Sequence, residues 1–321
     1  MSNTHLLAIW GGTASGKTVA TVKLALELTA HKKNVAIVMC DSLAPAPQTL
    51  LPNSSTEGKS LGELLTLPTI SQEVILNHCI LVSTNKYISL LGYMRGDNAF
   101  TYASYSKERA VDLLTLLRHV ADYVLVDVCS MFSSDVLSTV ALENADTVLR
   151  LCTCDLKSMS YFSSNLPLLA DGRFAASQHI KVLSMVKPGQ DSGEYCNTYG
   201  GVSYTLTYVP ELEEQYYSAS LSDKLFTIAG REYTHIIRKL AARISVTDKV
   251  TDDMNQSVLP LMPSSSGNSS ISASVREKKQ KLVNEPKERR SHNPIPQLKK
   301  EKQSDSGGGG LFERLKKGDK S

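Results

Sequence analysis

The residues best suited to chemistry lie close to the start of the chain. Gly11-Gly12-Thr13-Ala14-Ser15-Gly16-Lys17-Thr18 fits the spacing G-x-x-x-x-G-K-[ST]. Glycines let a backbone wrap closely around an anion, and successive N–H groups opening a helix supply the donors. In such a loop Lys17 neutralises the β- and γ-phosphates of ATP, and the Thr18 hydroxyl ligates Mg²⁺. The pattern needs context to be specific: a buried strand before it and a helix after it. Both are expected here, since the apolar run 5–10 precedes the loop. After it, Val19, Val22, Leu24, Ala25 and Leu28 follow at helical spacing. A carboxylate must also stand at the end of a neighbouring strand to hold the metal shell. Asp127 closes the apolar run 123–126, and Asp41 closes the run 35–40. Lys17, Asp41 and Asp127 are therefore the candidate catalytic groups, and Thr18, Asp41 and Asp127 the candidate metal-side groups.

The elements that must position them alternate. Strands are expected at 5–10, 35–41, 80–83, 122–128, 147–153, 179–186 and 203–210. Helices are expected at 18–30, 106–119, 137–144, 156–169 and within 221–245. Continuous apolar strands alternating with helices argue for an α/β fold: a mainly parallel, doubly wound sheet covered on both faces. Apolar residues thin out after Val246, which divides the chain into a folded body, 1–246, a Ser/Lys-rich linker, 247–310, and a short basic end, 311–321.

Charge follows the same division. Overall it is +3, yet from Thr251 onward there are 14 Lys/Arg against 9 Asp/Glu, leaving 21 against 23 before it. The body is therefore not a basic nucleic-acid surface, and electrostatic attraction to anions belongs to the tail. The six cysteines sit mostly in strand-like runs and read as buried thiols of a reducing compartment. Cys152 and Cys154 lack a second ligand pair at metal spacing, so no metal site is expected there. His5, His78, His119 and His179 read as structural, and Tyr102, Tyr105, Tyr216 and Tyr217 are given no role. No basic n-region precedes the first strand and no run is long enough to span a bilayer, so a cytoplasmic protein is expected.

Taken together, GGTASGKT near the start, VMCD ending at Asp41 and ADYVLVDV holding Asp127 resemble the ParA/MinD group of P-loop ATPases. The stretches Asn144-Ala145-Asp146-Thr147, Asp155-Leu156-Lys157-Ser158 and Val209-Pro210 are similar to that group as well, over roughly 1–240. The resemblance implies ATP with Mg²⁺ held by the loop 11–18, Pro210 beside the purine, and a nucleotide-dependent homodimer. There are departures. The group's second lysine, which reaches across the dimer to the partner's phosphates, is matched by Gly12. Met39 stands at the first Asp of its D-x-D, Val128-Cys129-Ser130 replaces a Pro-rich switch, and Ser184 replaces an adenine-reading Asn. Loss of one positive group at a phosphoryl-transfer site implies slow hydrolysis or none. Such divergence is similar to the TadZ/CpaE pilus-localisation proteins, which act as positional markers.

The implied role is localisation or assembly at a membrane machine such as a pilus or secretion complex. The alternatives are a DNA-partition ATPase, disfavoured by the body charge and by Gly12, and a P-loop kinase. At the chain's end Leu311, Phe312 and Leu315 share one helical face, with Arg314, Lys316 and Lys317 around the other. That pattern suits an anionic membrane surface, which would make the protein peripheral at the inner face of the cell membrane. It also suits a docking peptide for a protein partner, or a solvated end.

Overall fold

The protein is described by a computed structural model that covers residues 4–47, 58–98 and 100–256. Leu311, Phe312, Leu315 and the linker beyond Gln256 lie outside the described residues. Eight strands form one sheet in the order β3-β4-β2-β5-β1-β6-β7-β8. The central strands are β1 (His5–Gly11), β2 (Val35–Met39), β5 (Tyr123–Asp127) and β6 (Thr147–Thr153). They are parallel throughout and nearly continuous in their hydrophobicity, as strands buried on both faces must be. The pleat sends their side chains alternately to two cores. Leu6, Ala8, Trp10, Val124 and Val126 enter one, while Leu7, Ile9, Tyr123 and Leu125 enter the other.

One core is closed by α4 (Lys107–Val120), α5 (Val136–Asn144) and α6 (Leu156–Asn165), through Leu113, Leu137 and Phe162. The other is closed by α1 (Lys17–Leu28), α8 (Pro210–Tyr217) and α9 (Ile228–Gln256), through Leu24, Leu212 and Ile237. The doubly wound arrangement expected from the strand–helix alternation is the one observed. Helix starts are set locally: Ser106, Asp135 and Asp155 each accept a hydrogen bond from the backbone N–H three residues on. Asp146 has a structural task. Its Oδ2 accepts from Leu6 N at 2.7 Å and pairs with Arg118 at 2.7 Å, fastening β1 and α4 at the end of the sheet away from the loop.

Several elements differ from the sequence expectations. β4 (Ile88–Gly92) was not expected, yet it lies inside the sheet between β2 and β3. β3 is only Ile80–Leu81 and runs antiparallel to β4 at the edge. Two short helices, α2 (Leu61–Thr66) and α3 (Gln72–His78), precede β3, and α7 (Ser192–Thr198) follows β7 (Ile180–Val186). β8 (Tyr204–Thr207) stops short of the expected 210, because Pro210 opens α8 as a first-turn proline. α9 begins at Ile228 and its helical backbone continues past Val246 to Gln256.

Candidate functional site

The loop 11–18 joins the end of β1 to the start of α1. β1 lies between β5 and β6, where successive connections turn to opposite halves of the sheet, and the C-terminal ends of such strands form the usual ligand crevice. Gly16 precedes α1 at φ +80°, and Ala14 is also left-handed at φ +57°. The turn therefore presents backbone N–H groups at the N-terminus of α1. At Gly11 an added Cβ would stand 2.4 Å from Leu151 O, so no side chain fits there without moving β6.

Lys17 Nζ donates to Gly11 O at 3.2 Å, Gly12 O at 3.0 Å and Ser130 Oγ at 2.7 Å. Burial pushes its pKa down, against the attraction of Asp127 and Asp41. Thr18 Oγ1 donates to Asp127 Oδ2 at 2.5 Å. The other oxygen, Asp127 Oδ1, is buried and has no hydrogen-bond partner. Burial pushes the Asp127 carboxyl up to about 6, opposed by Lys17 and the Thr18 hydroxyl. An orphaned carboxylate oxygen beside a hydroxyl on a helix N-terminus, with an ammonium near it, is a donor set that suits Mg²⁺ and phosphate. Asp41 lines the same cavity, and its Oδ1 accepts from Leu43 N and Ala44 N at 2.9 and 3.1 Å.

Two residues that were given no site role from sequence join the loop. Ser130 takes the hydrogen bond from Lys17, and Tyr161 on α6 donates to Ser130 O at 2.7 Å. The Tyr161 ring also lies 3.5 Å from where a Cβ on Gly12 would stand. A side chain at position 12 would have to turn past that ring. Nothing local in the sequence links residues 12, 130 and 161; the sheet topology brings them together.

The cavity has a volume of about 520 Å³ and extends from Thr13–Thr18 and Asp41 to the β8–α8 turn. Among the expected site residues, Thr13, Ala14, Ser15, Gly16, Lys17, Thr18, Asp41 and Asp127 line it. Gly11 and Gly12 bound the loop from behind, where their carbonyls take Lys17. Pro210 is not on the wall; its neighbours Val209 and Leu212 are, because Pro210 is spent on opening α8. Tyr216 and Tyr217, given no role from sequence, do line the cavity, with Tyr208 and Glu213. Among the described residues no three His, Cys, Asp or Glu side chains form a metal-binding group, and Cys152 and Cys154 are buried free thiols.

The fold, an eight-stranded, mostly parallel sheet with flanking helices, matches that of solved P-loop structures of the ParA/MinD type. No family model and no curated protein matches the sequence. Solved structures match the fold. One is the ParA family ATPase from Chlorobium tepidum TLS, 13% identical, with 75% of this chain and 99% of that chain covered at a TM-score of 0.58. Another is the MinD cell division protein of Aquifex aeolicus, also 13% identical, with 81% and 100% covered at 0.57. A third is the putative plasmid partition protein of Borrelia burgdorferi B31 bound to AMPPNP, 13% identical, with 76% and 99% covered at 0.57.

Proposed function

We propose that this chain is an ATP-binding switch of the localisation and partition kind, placing a cellular machine rather than modifying a metabolite. The observation that carries the reading is the set Lys17, Thr18 and Asp127, with Asp127 Oδ1 buried and unpaired at the C-terminal edge of the sheet. Bound Mg²⁺–ATP would supply a transferable γ-phosphoryl group. The N–H groups of 13–18 would cradle its phosphates, and Lys17 would leave the Gly11 and Gly12 carbonyls and Ser130 to balance their charge. Thr18 would ligate the metal directly, with Asp127 holding the hydroxyl and the metal's water shell. Asp41, fixed by Leu43 N and Ala44 N, stands where it could orient a water. With Gly12 in place of a second lysine, the cation set is one short, and slow turnover is the expectation.

The finer reading is a nucleotide-dependent homodimer docked at a membrane machine such as a pilus or secretion complex. In this reading Leu311, Phe312 and Leu315 contact the lipid surface, and two weak anchors per dimer act together. Among the described residues no helix is long and apolar enough to cross a membrane. The test is light-scattering mass together with sedimentation on vesicles containing anionic lipid, each in ATP and in ADP. A dimer that binds vesicles in ATP, and a chain ending at 310 that dimerises but stays in solution, is the expected outcome. Equal mass and equal sedimentation in both nucleotides contradicts the switch. Retention of DNA in place of vesicles would move the reading to partition.

A further inference from the structure

Within the nucleotide reading above, the end of the cavity away from Lys17 must hold the base. β8 stands three strands from β1, roughly 14 Å at the usual strand spacing. Of the charged residues on the cavity wall, Lys17, Asp41 and Asp127 gather near the ends of β1, β2 and β5, and Glu213 alone belongs to α8. Its carboxylate is gripped from both sides. The Tyr208 hydroxyl donates to Oε2, and the Tyr217 hydroxyl donates to Oε1 at 3.1 Å. The Lys187 ammonium lies over the Tyr208 ring, 5.2 Å from its centroid, and steadies that side. The hydroxyls of Tyr208 and Tyr217 hold the Glu213 carboxyl below its usual range. Near neutral pH it is therefore ionised and can only accept, and each oxygen keeps a further lone pair for a ligand.

The surrounding wall suits a flat ring. Met185, at φ +56°, lines the cavity between the loop and this end, its thioether 3.6 Å from where a Cβ on Gly16 would stand, and a thioether packs well on an aromatic system. Tyr216 stands edge-to-face with Tyr217, and both line the cavity. Among the described residues, this end of the wall carries hydroxyls, apolar groups and the Glu213 carboxylate, but no side-chain amide.

We propose that Glu213, fixed by Tyr208 and Tyr217, is the specificity-determining residue of the base site and accepts a hydrogen bond from the 6-amino group of adenine. An acceptor-only carboxylate matches an exocyclic amino group and gains nothing from a purine that lacks it.

The test is calorimetric binding of ATP and of purine riboside 5′-triphosphate, which has hydrogen in place of that amino group. The full chain, Glu213→Ala and Tyr217→Phe are compared, with circular dichroism as the check on folding. Glu213 is solvent-exposed, so its truncation leaves both cores untouched. Wild type is expected to bind ATP about tenfold more tightly than the analogue, the value of one charge-assisted hydrogen bond at a partly open site. In Glu213→Ala the ratio falls to near one, because ATP weakens while the analogue does not, and Tyr217→Phe lies between. Equal affinities in wild type, or the same ratio in Glu213→Ala, overturn the role of Glu213 and leave the phosphate reading standing. Failure of wild type to bind either triphosphate overturns both.

Discussion

Replacing Asp127 by Asn should make the nucleotide-free protein more stable, although it removes a group the site needs. Burial raises the folded-state pKa of Asp127 to about 6, against 3.8 for a free carboxyl. Between those values the folded chain holds a proton that the unfolded chain has released. Stability from this group is therefore greatest below about pH 4 and falls as pH rises to 6. Above that, the buried charge costs about 3 kcal/mol. Asn keeps an oxygen for the Thr18 hydroxyl and carries no charge. It also leaves Lys17 without its nearest carboxylate, so the net gain near pH 7.5 is about 1–2 kcal/mol, or roughly 2–8 °C in melting temperature. The assay is thermal unfolding of both proteins in chelator, from pH 4 to 8. The gap should open between pH 4 and 6 and stay constant above it. With Mg²⁺ and ATP at a hundred times the dissociation constant, wild type gains about 2.7 kcal/mol and overtakes a variant that cannot organise the metal. A wild type more stable than Asp127→Asn in chelator at pH 7.5, or a gap that ignores pH, refutes this reasoning.

Lys23 is buried and donates to Gln215 Oε1 and Asp223 O, both at 2.7 Å, and burial pushes its pKa down to about 8. The unfolded chain keeps that proton to about pH 10.5, so wild type should gain stability relative to Lys23→Met as pH climbs from 8 to 10.5, which denaturant titrations will show. The two neighbouring loop glycines should respond differently. Gly11→Ala drives a Cβ to 2.4 Å from Leu151 O and should cost several kcal/mol, whereas Gly12→Ala meets only ordinary contact with Tyr161 and should cost under about 1 kcal/mol. Urea midpoints compare them, and equal losses would show that β6 yields easily. His179 accepts at Nδ1 from the Trp10 indole at 3.3 Å, and its pKa is pushed down to about 4, chiefly by burial. The unfolded chain binds a proton near 6.5 that the folded one refuses, so His179 lowers stability as pH falls from 6.5 to 4. Unfolding followed by emission of Trp10, the single tryptophan, should show that slope diminished in His179→Asn.

The strand–loop–helix around residues 11–18 was legible because its pattern is local: the glycine spacing, the lysine and the hydroxyl are contiguous, and a buried strand and a helix flank them. The placing of Asp127 and Asp41 on the cavity wall was legible for a similar reason, each closing a continuous apolar run. β4 escaped because Ile88–Gly92 is a five-residue run between polar stretches, and only its pairing with β2 makes it a strand. Ser130 and Tyr161 were given no site role because the bond from Lys17 to Ser130 spans 113 residues along the chain and the bond from Tyr161 to Ser130 another 31. The Tyr208–Glu213–Tyr217 cluster escaped because its members meet only once Pro210 ends the strand and starts α8. Read as a strand to 210, the segment scatters them. The same turn explains why Pro210 shapes the wall without being part of it.

The central claim is that the set Lys17, Thr18 and Asp127 holds Mg²⁺–ATP, and calorimetry tests it most directly. ATP is titrated into wild type with Mg²⁺ and with chelator, and into Lys17→Ala and Asp127→Asn with Mg²⁺. Binding should weaken sharply without Mg²⁺, vanish in Lys17→Ala and lose its Mg²⁺ dependence in Asp127→Asn. No heat of binding in wild type, or the same affinity in all four titrations, would contradict it and leave the loop as a structural turn.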